Sequence, residues 1–221
     1  MKYNTVVVTG SNGATARELI RYFSKISNNV VGLVRKQKEE FSEGNITVLE
    51  ANMSDYNSVD SISRDIIERY KSIDVWINCV GGFTMGLSIE DDTQNWEKMF
   101  DINFSTCLHG SQVALKQMSK QGAGHIINIG SQAAIDGFPD AAPYLISKSS
   151  VHMLTRLIAL ENTNNNIKAN AILPGIIDTD ANRKAMPNED FSTWQTPEKI
   201  AQTIERTIDS NESGLLVSID K

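Results

Sequence analysis

Tyr144 and Lys148 stand four residues apart in the run Tyr144-Leu145-Ile146-Ser147-Lys148. On a helix that spacing puts phenol and ammonium on one face. A free phenol titrates near ~10 and exchanges a proton poorly at neutral pH, but a lysine one turn away can favour the phenolate electrostatically. The same spacing also arises in exposed i,i+4 pairs on ordinary helices, so the pair alone does not define a site. A second group with chemical potential is the turn Thr9-Gly10-Ser11-Asn12-Gly13-Ala14-Thr15-Ala16, spaced G-x-x-G-x-x-A. Gly10 permits a sharp turn, Gly13 allows close backbone approach to a pyrophosphate, and Ala16 is small enough for a helix to pack on a strand. A helix starting there offers N–H groups and a positive dipole end, so Gly10, Ser11, Asn12, Gly13 and Ala14 become candidate phosphate contacts. Any strand-to-helix turn favours glycine, so position decides between the two readings. The chain contains no G-x-x-x-x-G-K-[ST] run, which speaks against a P-loop triphosphatase.

The surrounding elements give the turn its context. The β-branched run from Tyr3 to Gly10 reads as a buried strand, and helical spacing follows from about Ala14 to Ile26. Further strands are expected at 30–34, 46–49, 74–80, 126–129, 167–173 and 215–219. Between them lie helices with an apolar face of Val59, Ile62, Ile66 and Tyr70, a long helix over about 94–121, and another over about 144–162. Thr196 and Pro197 open a last helix as N-cap and first residue, with Ile200, Ile204 and Ile208 on its face. Strand and helix alternate from end to end, which predicts an α/β fold: a parallel sheet with helices on both faces. Ligands of such sheets bind at the carboxyl ends of the strands, where the glycine turn lies. The polar segment 178–196, with Met186-Pro187 inside it, is the candidate mobile loop.

The chain has 221 residues and a formal net charge of −6. One domain over residues 1–221 is expected, with no repeat and no linker rich in Pro, Gly or Ser. No basic cluster suggests a nucleic-acid partner, and no apolar stretch reaches the length of a membrane span. Cys79 and Cys107 form no CxxC, and His109, His125 and His152 are scattered, so neither a disulfide framework nor a zinc site is expected. The beginning MKYNTVVVTGSNG lacks the apolar segment of a secretory signal; a cytoplasmic location is expected.

With Ser131 thirteen residues before Tyr144, the chain resembles the short-chain dehydrogenase/reductase family over almost its whole length. The resemblance rests on the glycine turn, Asn78-Cys79-Val80-Gly81, Asn103, Ser131, the Y-x-x-x-K pair and Pro174-Gly175-Ile176-Ile177-Asp178-Thr179. It implies a Rossmann-type doubly wound sheet of about seven strands and hydride transfer between a nicotinamide and a small carbonyl or alcohol. Tyr144 would supply or remove the proton on oxygen. Ser131 would hydrogen-bond that oxygen, and Lys148 would hold the nicotinamide ribose. Asn103 would support a water-linked proton path behind Lys148. Asn78, Val80, Gly81, Pro174, Gly175, Ile177 and Thr179 would border the cofactor together with Tyr144 and Lys148. A finer resemblance, to dihydropteridine reductases, lies in Val151-His152 and in Asp178-Thr179, Asn182-Arg183-Lys184, Met186-Pro187, Asp190-Phe191-Ser192 and Trp194. Those enzymes lack the serine and helix asparagine that Ser131 and Asn103 provide here.

At the end of the second strand an acidic residue would accept the ribose 2′-hydroxyl of NAD. This chain has Arg35 and Lys36 there, followed closely by Lys38. Two cations suit a 2′-phosphate, so NADP(H) is the preferred cofactor and NAD(H) the alternative. Asn52 and Met53, after the third strand, would border the adenine. The leading expectation is a reductase of a small carbonyl compound, with quinonoid dihydropterin reduction as one alternative and a non-catalytic NADP(H)-binding sensor or regulator as the other. Phe191 and Trp194 read equally as loop anchors or substrate contacts. The apolar residues Val151, Met153, Leu154, Leu157, Ile158 and Leu160 are more than one helix face needs, which points to a homodimer or homotetramer.

Overall fold

The alternation of strand and helix is realised in a computed structural model that describes residues 1–37, 43–86 and 88–219. In chain order the elements are β1 Tyr3–Thr9, α1 Ala14–Ser24, β2 Ser27–Val34, β3 Ile46–Glu50, α2 Tyr56–Tyr70 and β4 Val75–Asn78. Next come α3 Thr93–Phe100, a π-helical turn Asp101–Ser105, α4 Thr106–Gln121, β5 Ala123–Ile129, α5 Ala133–Asp136 and α6 Ala142–Glu161. The last are β6 Asn166–Leu173, α7 Asp180–Ala185, a 3-10 turn Phe191–Thr193, α8 Pro197–Asp209 and β7 Leu216–Ser218. The seven strands form one parallel sheet in the order β3-β2-β1-β4-β5-β6-β7. The chain winds outward from β1 to β3, then returns to place β4 on the other side of β1. This reversal opens a crevice at the carboxyl ends of β1 and β4.

Strand periodicity divides the core into two layers. Val6 and Val8 face Leu19, Ile20 and Phe23 of α1 and Ile200, Ile204 and Ile208 of α8. Val7, between them, faces the opposite layer, which includes Val59 and Ile66 of α2 and Val113 and Met118 of α4. Each fully buried aliphatic side chain contributes roughly 1.5–3 kcal/mol, enough to fix the strand register against a one-residue slip. The α8 start is as the sequence indicates: the Thr196 hydroxyl accepts the Lys199 N–H at 3.2 Å. No helix among the described residues is long and apolar enough to cross a membrane.

Two elements differ from expectation in ways that matter for the site. The expected single helix over 94–121 is interrupted at Asp101–Ser105, where the turn widens and the Thr106 N–H reaches back to the Asp101 carbonyl. Such widened turns frequently occur at functional positions, and this one carries Asn103. The segment 178–196 is also shorter of loop than its composition suggests. It holds α7 and the 3-10 turn, and it adds a parallel bridge between Ile177 and Gln195.

Candidate active site

The glycine turn lies at the crevice. Gly10 has φ +77°, and a Cβ there would come within 3.2 Å of Val80 Cγ2 and 3.4 Å of the Val80 backbone, so a side chain would be strained twice over. Its N–H and that of Ser11 both donate to the Leu33 carbonyl, at 2.8 and 3.0 Å. Across the crevice the Thr9 hydroxyl accepts the N–H groups of Cys79 and Val80, at 3.0 and 3.3 Å, which fixes the spacing of the two strand ends. Asn12, Gly13 and Ala14 are exposed. Gly13, the N-cap of α1, brings no side chain to the first-turn amides, leaving them to an anion. The Ser11 hydroxyl is buried without a partner among the described residues. These features fit a dinucleotide pyrophosphate.

Asn12 donates its side-chain amide to the Lys36 carbonyl at 3.1 Å. The glycine turn is thereby tied to the end of β2, where Arg35 and Lys36 are exposed. Glu50, at the end of β3, is committed to the Gln37 N–H at 2.9 Å. Lys38 lies outside the described residues. Asn52 is exposed on an Asx turn with Ser54, whereas the Met53 side chain is buried in the core below it. Any contact Met53 makes with an adenine is therefore through its backbone. Asn78 departs further from its expected cofactor contact. Its buried amide accepts from Trp76 Nε1 at 2.8 Å and donates to Ser111 Oγ and Asn128 Oδ1, at 3.1 and 2.8 Å. A buried amide must be satisfied, and this one is satisfied inside the sheet, where it joins β4 to β5 and α4.

The structure brings Ser131, Tyr144, Lys148 and Asn103 together. Tyr144 is half-buried on the first turns of α6, and burial pushes its phenol above the usual value. The nearby Ser131 hydroxyl acts in the opposite sense. Lys148 is buried and donates to the Ile129 carbonyl at 2.8 Å. Burial lowers its pKa. Lys148 thus sits one turn beyond Tyr144, as the spacing places it, with its ammonium anchored on a strand end. The thiols of Cys79 and Cys107 are pushed up to about 12 by burial and stay protonated; neither is in a disulfide. Among the described residues, no cluster of His, Cys, Asp or Glu could hold a metal ion.

The Asn103 side chain is fully engaged in hydrogen bonds. Its Oδ1 accepts the Gly82 N–H at 2.9 Å, and its Nδ2 donates to the Gly82 carbonyl at 3.0 Å and to Ser147 Oγ at 3.1 Å. The amide therefore clamps the loop after β4 to α6. Gly81 lies between the two groups: a Cβ there would meet Asn103 Oδ1 at 3.0 Å and Lys148 Nζ at 3.2 Å.

The remaining wall comes after β6. The Pro174 carbonyl accepts the Gln132 N–H at 2.9 Å, and the Gly175 N–H donates to Gln195 Oε1 at 2.8 Å. Gln195 Nε2 reaches the Ile219 carbonyl at 2.9 Å. Thr179 caps α7 through the Asn182 N–H, and Asn182 Nδ2 holds the Ile177 carbonyl at 2.8 Å. Arg183 grips Asp178 through two nitrogens, at 2.5 and 2.8 Å, and lies over the Phe191 ring, which packs against Trp194. Phe191 and Trp194 thus anchor the loop. Of the residues that suggested a pterin enzyme, Asp178, Thr179, Asn182, Arg183, Phe191 and Trp194 are engaged in this bracing.

Two residues near the chemistry were given no role in the site by the sequence. Gln195 is one polar residue in a polar run. His152 is the other: its Nε2 accepts the Ser131 N–H at 3.2 Å, so the imidazole is neutral with its proton on Nδ1. Burial, with Lys148 and Arg156 nearby, lowers its pKa to about 4. Gly130 makes room for it, since a Cβ there would fall 2.5 Å from Nε2.

Set beside known proteins, residues 4–190 match the family model described as short chain dehydrogenase. The 3beta-hydroxysteroid dehydrogenase 1 of Eggerthella lenta is 30% identical over 192 residues, spanning 82% of this chain and 74% of that protein. A 3-oxoacyl-acyl-carrier-protein reductase of Thermotoga maritima is 28% identical over 181 residues, spanning 76% and 73%. Among solved structures, ElxO with NADP bound superposes with a TM-score of 0.90 at 28% identity, covering 100% of this chain and 98% of that one.

Proposed function

This chain belongs to the short-chain dehydrogenase family and is an NAD(P)-dependent oxidoreductase; on that premise we propose that it interconverts a small carbonyl compound and its alcohol, with NADP(H) preferred and Tyr144 exchanging the proton on the substrate oxygen. The observation that supports this reading is the placement of Tyr144 on the first turn of α6, half-buried and edge-on to Phe83, with Lys148 one turn further along and anchored on the Ile129 carbonyl at 2.8 Å, at the carboxyl end of the sheet beside the glycine turn. A bound nicotinamide supplies or accepts the hydride at the carbonyl carbon. The chain itself governs the oxygen. The Ser131 hydroxyl donates to it and fixes its orientation, and Tyr144 delivers the proton in reduction or removes it in oxidation. Lys148, a buried cation one helical turn away, opposes the negative charge that develops on the phenol. The turn 10–14 holds the pyrophosphate, and Arg35 and Lys36 face the 2′-phosphate. Among the described residues that follow β2, Arg35, Lys36 and Gln37, none is an acid that would favour the free ribose hydroxyl of NAD.

Tyr144→Phe tests the central role. Turnover should fall by at least ~100-fold, as expected for loss of a general acid, while NADPH affinity measured by fluorescence stays within about twofold, the phenol being peripheral to the phosphate contacts. Undiminished turnover would refute the assignment. A wild-type protein that binds NADPH but converts no member of a carbonyl panel, quinonoid dihydropterin included, would instead be a sensor or regulator. The assembly is proposed to be a homodimer or homotetramer through α6, where Ile146, Met153, Leu157 and Leu160 are exposed on the helix. Light scattering should give a multimer that Leu157→Glu dissociates; a monomeric wild type would end that proposal.

A further inference from the structure

Two phenylalanines crowd the mouth of the site without being buried. Phe83 is 54% exposed and Phe138 37%. The Phe83 ring stands edge-on to Tyr144, with centroids 4.9 Å apart and planes at 89°, and lies 6.5 Å from the Phe138 ring. Phe83 is not a loosely held surface residue. The preceding residue, Gly82, has both backbone groups bound by Asn103, which is 1% exposed. Asn103 also donates to Ser147 Oγ, and Ser147 donates to the Tyr144 carbonyl at 2.7 Å. One buried amide therefore sets the position of Phe83 relative to Tyr144. Phe138 is held from the other side, because the Gly86 N–H donates to the Asp140 carbonyl at 2.8 Å and ties the two loops together.

The charges around these rings are one-sided. The segments 81–86 and 131–144 contain neither Lys nor Arg, and their ionisable acids are Asp136 and Asp140. Across the mouth, Arg183 is engaged with Asp178, and Lys184 sits exposed on α7. A carboxylate or phosphate placed beside the reacting carbonyl would find acids and aromatic faces there. An uncharged hydrocarbon body would find two rings already fixed in place, whose exposed area it would cover.

We infer that Phe83 and Phe138 form an aromatic subsite that selects a neutral substrate whose carbonyl is borne on a flat or alicyclic hydrocarbon body, with Phe83 as the specificity-determining residue. The inference rests on the carbonyl-reductase reading above and narrows it against sugars, keto acids and small aldehydes.

The test uses three probes: 1-tetralone, a tetralone carrying a ring carboxylate, and propanal. They are compared by kcat/KM on wild-type protein and on Phe83→Ala and Phe83→Leu. Wild type should prefer 1-tetralone to propanal by at least ~10-fold and to the carboxylate by a similar factor. Phe83→Ala should reduce the tetralone-to-propanal ratio by at least ~10-fold, mainly through KM, and Phe83→Leu should restore part of it because apolar bulk returns. Saturation-transfer NMR of 1-tetralone on the NADP-loaded proteins reads binding without turnover, and the signal should weaken in Phe83→Ala. Phe83-dependent binding without turnover leaves the subsite standing and defeats the reductase reading. Turnover with equal selectivity in wild type and Phe83→Ala, or a preference for the carboxylate, overturns the subsite and leaves the reductase reading intact.

Discussion

Tyr144 divides the site into two sides built on different principles. On the cofactor side the contacts are mostly backbone: the turn 10–14, the strand ends pinned by Thr9, and the first-turn amides of α1. On the substrate side they are side chains delivered from distant segments: Phe83 meets Tyr144, Phe138 stands beside Phe83, and Asn103 holds the Gly82 backbone that positions Phe83. A backbone cradle needs small residues at fixed offsets and tolerates little else. A side-chain wall needs only that its anchors be satisfied, and its exposed members are free to differ. The proposed cofactor side is therefore the constrained half, and on the proposed function selectivity belongs to the other.

The cofactor side can be broken where it does rely on side chains. Replacing Arg35 and Lys36 together by Ala removes two exposed cations at the end of β2. With about 1 kcal/mol for each exposed charge contact, NADPH should bind roughly 30-fold more weakly, while NADH affinity stays within about twofold because its ribose carries no phosphate. Parallel fluorescence titrations measure both. An equal loss for the two cofactors would show that the pair shapes the turn, to which Asn12 ties it, and does not read the phosphate.

The same division explains what could be read from the sequence. The alternation of strand and helix, the two-layer core and the glycine turn follow from local periodicity and from small residues at set spacings, so they were legible; the order of the strands in the sheet was not. The α8 face of Ile200, Ile204 and Ile208 is a direct instance of legible periodicity. The break in the expected 94–121 helix was not, because a π turn has no compositional mark and exists here to satisfy Asn103 against Gly82. Asn78 shows the reverse: its motif is visible, while the work of its amide inside the sheet is not. Lys148 sits where the spacing puts it, but burial and the Ile129 carbonyl decide its hydrogen bond. Phe83, Gln195 and His152 act through contacts more than twenty residues away in some cases and adjacent to ordinary neighbours in all, so periodicity could not single them out.

His152 allows a smaller and finer test of the substrate side. It touches the chemistry only through Ser131, whose N–H it accepts, and is a positioning residue. His152→Phe removes the acceptor and leaves a buried N–H unpaired, at a cost of about 1–3 kcal/mol in stability; His152→Gln can restore an acceptor. Because the Ser131 hydroxyl is the group that draws the Tyr144 phenol back down, a displaced Ser131 should let that phenol rise further. The kcat/KM profile for alcohol oxidation should then shift its basic-side rise to higher pH in His152→Phe, with kcat about 3–10-fold lower near pH 7, and both changes should largely revert in His152→Gln. A uniform activity loss without a shifted profile would make His152 merely structural. Stability provides an independent check. The folded-state pKa of His152 lies near 4 against 6.5 for a free imidazole, so the unfolded chain takes up the proton first. The neutral ring's contribution is complete above pH 6.5 and is lost as pH falls from 6.5 toward 4, by roughly 3 kcal/mol at most. His125, also lowered by burial, titrates in the same direction in every variant. The acid sensitivity that wild type shows and His152→Gln lacks is therefore the share belonging to His152, and identical acid profiles for the two proteins would remove its buried neutral state from the account.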